Sequence, residues 1–164
     1  MDFKFSHLIP ATRQEVARAL LDVDYQNSLS GLGPLSERRV LDQQPIDGGR
    51  VRRRVRCVVH MDVSGPAKRV LGDAAPAWVE EAVWDPDRTI WEWRILPEVG
   101  GDLLTAHGDI RLDGVDGGTE RRVTGTVRVR VPFYGGKVER WIVDGLRQAY
   151  GEEAERLSAW LRNS

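Results

Sequence analysis

Cysteine is nearly absent from this 164-residue chain: Cys57 stands alone, which excludes an intrachain disulfide and any zinc site built on paired thiolates. Histidine is as sparse, with only His7, His60 and His107, and Cys57 and His60 have opposite strand parity, so they make no ready ligand pair. No HExxH, EF-hand loop, GxSxG elbow, Walker loop or dinucleotide fingerprint occurs. The expectation is therefore no metal, no cofactor and no catalytic residue that a motif identifies. Neither sign of charge is in excess, since 24 basic residues face 25 acidic ones, so no global field favours nucleic acid or an anionic membrane. Long apolar runs are missing too. Nothing approaches a bilayer-spanning length, and "MDFKFSHLIP" lacks the uninterrupted apolar core of a signal peptide, so a soluble cytoplasmic protein without membrane insertion is expected.

What is present is patterning. With 41% hydrophobic and 30% charged residues, the length suits one globular domain over residues 1–164. Glycine pairs at 48–49, 100–101, 117–118 and 135–136 punctuate segments of strand-like alternation. A first strand over 2–9 places Phe3, Phe5, His7 and Ile9 on one face. In "PATRQEVARALLD", Thr12 and Glu15 form a capping box ahead of a stripe of Val16, Ala19 and Leu20, and a second short helix is predicted over 24–30. Six further strands follow, near 35–44, 50–61, 77–85, 88–97, 102–113 and 120–131. Residues 62–76 are the one long connection, with room for a helical turn at 68–71 and a position that could border a pocket entrance. After "PFYGG" the period changes: Val138, Trp141, Ile142, Gly145, Leu146, Ala149, Leu157, Trp160 and Leu161 recur at three- and four-residue steps, predicting a long helix over 134–162 that Gly151 could bend.

This order of strand, two short helices, six-strand meander and long helix resembles the helix-grip fold of the START-like superfamily, which includes pollen-allergen and polyketide-cyclase relatives. The resemblance covers nearly the whole chain. It implies an α+β fold, a curved seven-stranded antiparallel sheet wrapped around the C-terminal helix. More narrowly, "MDFKFSH", "WEWRILPEVGGDLLTAHGDIRL" and "GTVRVRVPFYGGKVERWI" are similar to an uncharacterised bacterial branch of that superfamily, a domain of unknown function. These motifs speak to fold rather than activity.

In "IWEW", Trp91 and Trp93 share a strand face, with Ile95 next along it. Phe5, His7, Cys57, Ala106, Gly108, Gly125 and Val127 would converge on the same interior, opposite Trp141, Ile142 and Gly145 of the helix. Small residues at 106, 108, 125 and 145 stand where a solid core would carry Leu or Ile, so this interior reads as a cavity; the alternative is that the indoles fill it. The superfamily resemblance tips the balance, since relatives commonly hold apolar molecules there. These residues other than Ile95, twelve in all, are the candidate ligand contacts. His7 is either a polar handle for a ligand, an acid–base group, or a histidine bonded to its neighbours. His60 and His107 should face outward. Glu81 lies between Val79 and Val83, while Trp78, Glu80, Ala82 and Trp84 form an equally mixed face, so periodicity leaves both orientations open there.

Five arginines crowd "RVRRRVRC", but Arg50, Arg52, Arg54 and Arg56 alternate with Val51, Val55 and Cys57, as on the wet face of a sheet paired to acidic neighbours. A specific nucleic-acid surface is not expected. The leading reading is a binding domain for a hydrophobic small molecule or lipid. A cyclase- or dehydratase-type enzyme, or an interaction module using an exposed Trp78 or Trp84 patch, are the rivals. No specific protein partner is read from the sequence.

Overall fold

A computed structural model describes residues 1–60 and 76–164, with Gly65 and Lys68 between them. The elements are β1 (Asp2–Ile9), α1 (Arg13–Leu21), α2 (Val23–Ser28), β2 (Leu35–Pro45), β3 (Val51–Val59), β4 (Ala77–Asp85), β5 (Ile90–Pro97), β6 (Leu104–Val115), β7 (Gly118–Val129) and α3 (Gly135–Arg162). All seven strands pair antiparallel in the order β1-β7-β6-β5-β4-β3-β2. Strands β2 to β7 are a continuous meander, and β1 closes its far edge beside β7. The two short helices carry the chain across from β1 to β2. The sheet curves around α3, as the resemblance implies. Of the helical turn expected at 68–71, residues 69–71 lie outside the described residues.

Local chemistry accounts for the element ends. The capping box at the start of α1 forms as expected: Thr12 Oγ1 accepts from the Glu15 amide at 3.2 Å, and a Glu15 carboxylate oxygen accepts from the Thr12 amide at 2.8 Å. Asp22 caps α2 by accepting from the amides of Asp24 and Tyr25, so α2 begins and ends slightly earlier than 24–30. The segment "DGVDGG" is shorter as a turn than its composition suggests. Only Asp116 and Gly117 lie between β6 and β7, and Gly117 takes the left-handed φ of 86° that glycine permits. The alternation of β6 and β7 then continues two residues further at this end than expected. Helix α3 runs unbroken through Gly151, and its 28 residues span about 42 Å.

The core lies between the concave face of the sheet and the helices. Phe3, Phe5 and Ile9 of β1, Val16, Ala19 and Leu20 of α1, Val123, Val127 and Val129 of β7, and Val138, Val143 and Leu157 of α3 are all buried. Helix α3 packs against β1, β7 and α1. It therefore seals one side of the sheet's concave face. None of the helices among the described residues is long and apolar enough to cross a membrane.

Candidate functional site

Because α3 leans on β1 and β7, the inner faces of β3, β4 and β5 are left facing open space. This space is a cavity of about 820 Å³. Strand alternation supplies its apolar wall: Cys57 and Val59 from β3, Ala82 from β4, Trp91, Trp93 and Ile95 from β5, and Leu104, Ala106 and Ile110 from β6. Val138, Trp141, Ile142, Gly145 and Leu146 face them from α3. Val99 and Trp141, 57% and 45% exposed, mark where the lining reaches solvent. Trp93 stacks on Phe3 with ring centroids 6.2 Å apart, and Trp91 tilts against Trp84 at 5.6 Å. Both indole N–H groups are buried without a partner among the described residues.

One part of the wall is strongly polar. Arg121 of β7 forms a buried ion pair with Glu153 of α3, whose other carboxylate oxygen accepts from the Tyr25 hydroxyl at 2.8 Å. Arg121 also donates to the Tyr150 carbonyl at 3.0 Å. Beside them Arg38 of β2 donates to the Gln26 side-chain oxygen at 2.8 Å and lies 3.5 Å from Glu80 of β4. Arg53 of β3 is 5% exposed, donates to the Leu20 carbonyl, and lays its guanidinium 4.3 Å above the Trp91 ring. Burial, then the charge of Arg38, bring the Arg53 guanidinium down to about 10, so it remains protonated at neutral pH. Burial pushes the Cys57 thiol up to about 11, against the pull of Arg38, so the thiol form dominates. Burial and then the Glu153 carboxylate raise Tyr25, and burial raises Tyr150, so neither phenol ionises in the ordinary range.

The sequence matches the family described as "Protein of unknown function (DUF2505)" over residues 4–161. The chain belongs to this family. No curated protein matches the sequence. Among solved structures, this DUF2505 chain is similar to TTHA0849 from Thermus thermophilus, at 17% identity and a TM-score of 0.71, covering 99% of this chain and 98% of that one. It is also similar to the Zhui aromatase/cyclase from Streptomyces sp. R1128, at 13% identity and a TM-score of 0.70, over 99% and 93% of the two chains. A third is Ara h 8.0201, at 12% identity and a TM-score of 0.65, over 100% and 99%. At these identities the likeness is one of fold: the helix-grip arrangement of a curved antiparallel sheet around a long C-terminal helix.

The expected site residues divide in this DUF2505 structure. Cys57, Trp91, Trp93, Ala106, Trp141, Ile142 and Gly145 come together around the cavity. Phe5, His7, Gly108, Gly125 and Val127 lie outside its lining. The two glycines do not open the cavity, because rings take up the volume they free. A Cβ on Gly125 would fall 2.6 Å from the Phe3 ring and 2.8 Å from the Trp93 ring, and one on Gly108 would also meet Trp93 at 2.8 Å. At Gly108 the backbone is closer still, since a Cβ would collide with the Thr124 carbonyl oxygen, so close strand approach as well as the Trp93 ring holds these positions to glycine. Gly145 differs: a Cβ there meets only Pro34 Cγ, at the ordinary contact distance of 3.7 Å.

His7 is half-buried opposite Arg121 in the β1–β7 register. Burial, then the Arg121 charge, lower its pKa, while Glu153 opposes the shift. Its Nδ1 is buried without a partner among the described residues. The orientation left open on β4 is decided by register. Glu81 pairs outward with Arg94 at 2.7 Å, while Glu80, Ala82 and Trp78 line the cavity and Trp84 is buried at 5% exposure. The outer tryptophan patch envisaged at Trp78 and Trp84 is thus replaced by an inward one. His60 and His107 are exposed, as expected. On the wet face Arg54 pairs with Asp42; Arg56, expected on that face, pairs with Glu98 at 2.6 Å, and both belong to the cavity lining.

Sequence reasoning missed the polar wall. Its signal was present, since Arg53 shares parity with Val55 and Cys57, Arg121 with Val123 and Val127, and Glu153 sits on the α3 stripe between Tyr150 and Leu157. Charged residues at such positions ordinarily argue against burial, and only the convergence of distant elements pairs Arg121 with Glu153 and Arg38 with Glu80.

Proposed function

We propose that this protein binds a hydrophobic small molecule or lipid in the cavity between the sheet and α3. The observation that carries this reading is the cavity of about 820 Å³ walled by Trp91, Trp93, Ile95 and Leu104 on one side and by Ile142, Gly145 and Leu146 on the other. A volume of this size suits a drug-sized or single-chain lipid ligand. Burying roughly 300 Å² of apolar ligand surface at about 25 cal/mol per Å² contributes about 7 kcal/mol before the costs of association. The helix-grip neighbours, a polyketide aromatase/cyclase among them, support a ligand in this place.

The cyclase- or dehydratase-type alternative needs a free acid–base group, with His7 as its first candidate. His7 stands outside the lining, and of the inner carboxylates Glu153 is held by Arg121 and Tyr25 and Glu80 lies beside Arg38. These engagements favour binding over turnover. The test is uptake of the neutral fluorophore N-phenyl-1-naphthylamine, with native mass spectrometry of the purified protein before and after delipidation. Saturable, one-to-one uptake that long-chain lipids displace is the expected result. Absence of uptake, together with a native mass equal to that of the bare chain, overturns the reading.

A further inference from the structure

The cavity lining holds four arginines and four carboxylates; Arg56, paired with Glu98, and the exposed Asp144 belong to its outer part, and the deeper part carries Arg38, Arg53 and Arg121 with Glu80 and Glu153. Arg121 is matched by Glu153, and Arg38 by Glu80. Arg53 is left over: among the described residues no carboxylate lies within ion-pair distance of it. Its Nη1 donates to the Leu20 carbonyl, its Nε is sealed from solvent with no partner, and its Nη2 makes no hydrogen bond among the described residues. The other buried side-chain atoms without partners on lining residues are Arg121 Nε and the Nε1 atoms of Trp91 and Trp93. All of these are donors. The remaining orphaned atoms, on His7, Asp42 and Gln43, belong to residues outside the lining. A buried cation without an ion-pair partner is costly, and a deep stretch of wall with surplus donors and one arginine more than it has carboxylates is complementary to an acceptor that bears negative charge.

We propose that the cavity selects an amphiphile with an acidic head, a carboxylate in the first instance, which seats against Arg53 beside Arg38 and supplies the missing counter-charge. This rests on the hydrophobic-ligand reading above and names its chemical class. The apolar tail passes Trp91, Trp93 and Ile95 toward Val99 and Trp141. Trp141 and Glu153 are twelve residues apart on α3, about 18 Å of helix, so a long single chain fits the distance from the charged wall to the mouth. The lowered pKa of Arg53 agrees with this placement, because a bound anion reverses the effect of burial.

The experiment displaces N-phenyl-1-naphthylamine, which is uncharged, with palmitic acid and with 1-hexadecanol at pH 8, in the wild type, Arg53→Met and Arg53→Lys. The two chains have equal length and differ in the charge of the head. In the wild type the acid should displace the probe at a concentration at least tenfold below the alcohol. Arg53→Met should reduce that ratio to within twofold of unity while alcohol binding persists, and Arg53→Lys should retain most of the preference. Equal potency of acid and alcohol in the wild type overturns the inference even if Arg53→Met does not fold. So does a preference that survives in a folded Arg53→Met, which would leave Arg53 only its contacts with Trp91 and Leu20. If neither the probe nor either chain enters, the cavity reading itself fails, and this inference falls with it.

Discussion

Arg121 and Glu153 show how one residue can be indispensable without adding net stability. Arg121 is 1% exposed, and its guanidinium is compensated only while Glu153 faces it. Glu153→Leu leaves that charge buried and unmatched and removes the acceptor of the Tyr25 hydroxyl, so it should cost about 3–5 kcal/mol in urea unfolding. The double variant Arg121→Met with Glu153→Leu removes both charges and should recover most of that loss, because two apolar side chains of similar length need no mutual compensation. A double variant no more stable than Glu153→Leu alone would mean that the lost contacts with Tyr25 and the Tyr150 carbonyl matter more than the charges.

Helix α3 does two things along its length, and its residues separate them. It packs on β1 and β7 and buries Val143 and Leu157 in the core, and it roofs the cavity through Val138, Ile142, Gly145 and Leu146. Glycine inside a helix costs about 1 kcal/mol relative to alanine, which Gly145→Leu largely regains. With only Pro34 within contact distance of the new Cβ, the leucine extends into the cavity rather than into packed neighbours. The melting temperature of Gly145→Leu should therefore stay level or rise while uptake of apolar probes falls at least tenfold. Gly125→Ala, with its Cβ against Phe3 and Trp93, provides the opposite control. It should lower stability by about 1–3 kcal/mol through overpacking. Thermal melts and probe titrations on the two variants check both halves of the contrast.

For the whole molecule, a cavity of about 820 Å³ means that stability depends on what fills it. A ligand that binds the folded chain alone stabilises it by about 2.7 kcal/mol at a hundredfold excess over Kd, and a domain of this size shifts its melting temperature by about 2–4 °C per kcal/mol. Delipidated protein should accordingly melt roughly 5–10 °C below protein saturated with a long-chain fatty acid, with the shift growing with ligand concentration in differential scanning calorimetry. The residue pattern alone determined a great deal here. Alternation along Phe3 and Phe5 and along Trp91 and Trp93, the capping box at Thr12 and Glu15, and the change of period after "PFYGG" are local signals, and local chemistry is enough to specify strands, helix starts and the face each one buries. Tertiary structure alone decided where the emptiness and the charge lie. Gly108 and Gly145 look alike in one dimension, yet the Trp93 ring covers the first and open space lies beneath the second, because volume belongs to whichever neighbours the fold brings across. Arg53 shares the inward parity of Val55 and Cys57, but what surrounds it is set by the fold, and Glu80 and Glu153 acquire partners only when β2, β4, β7, α2 and α3 converge. Pairing of charges across distant segments is a property of three-dimensional distance, which no spacing along the chain encodes.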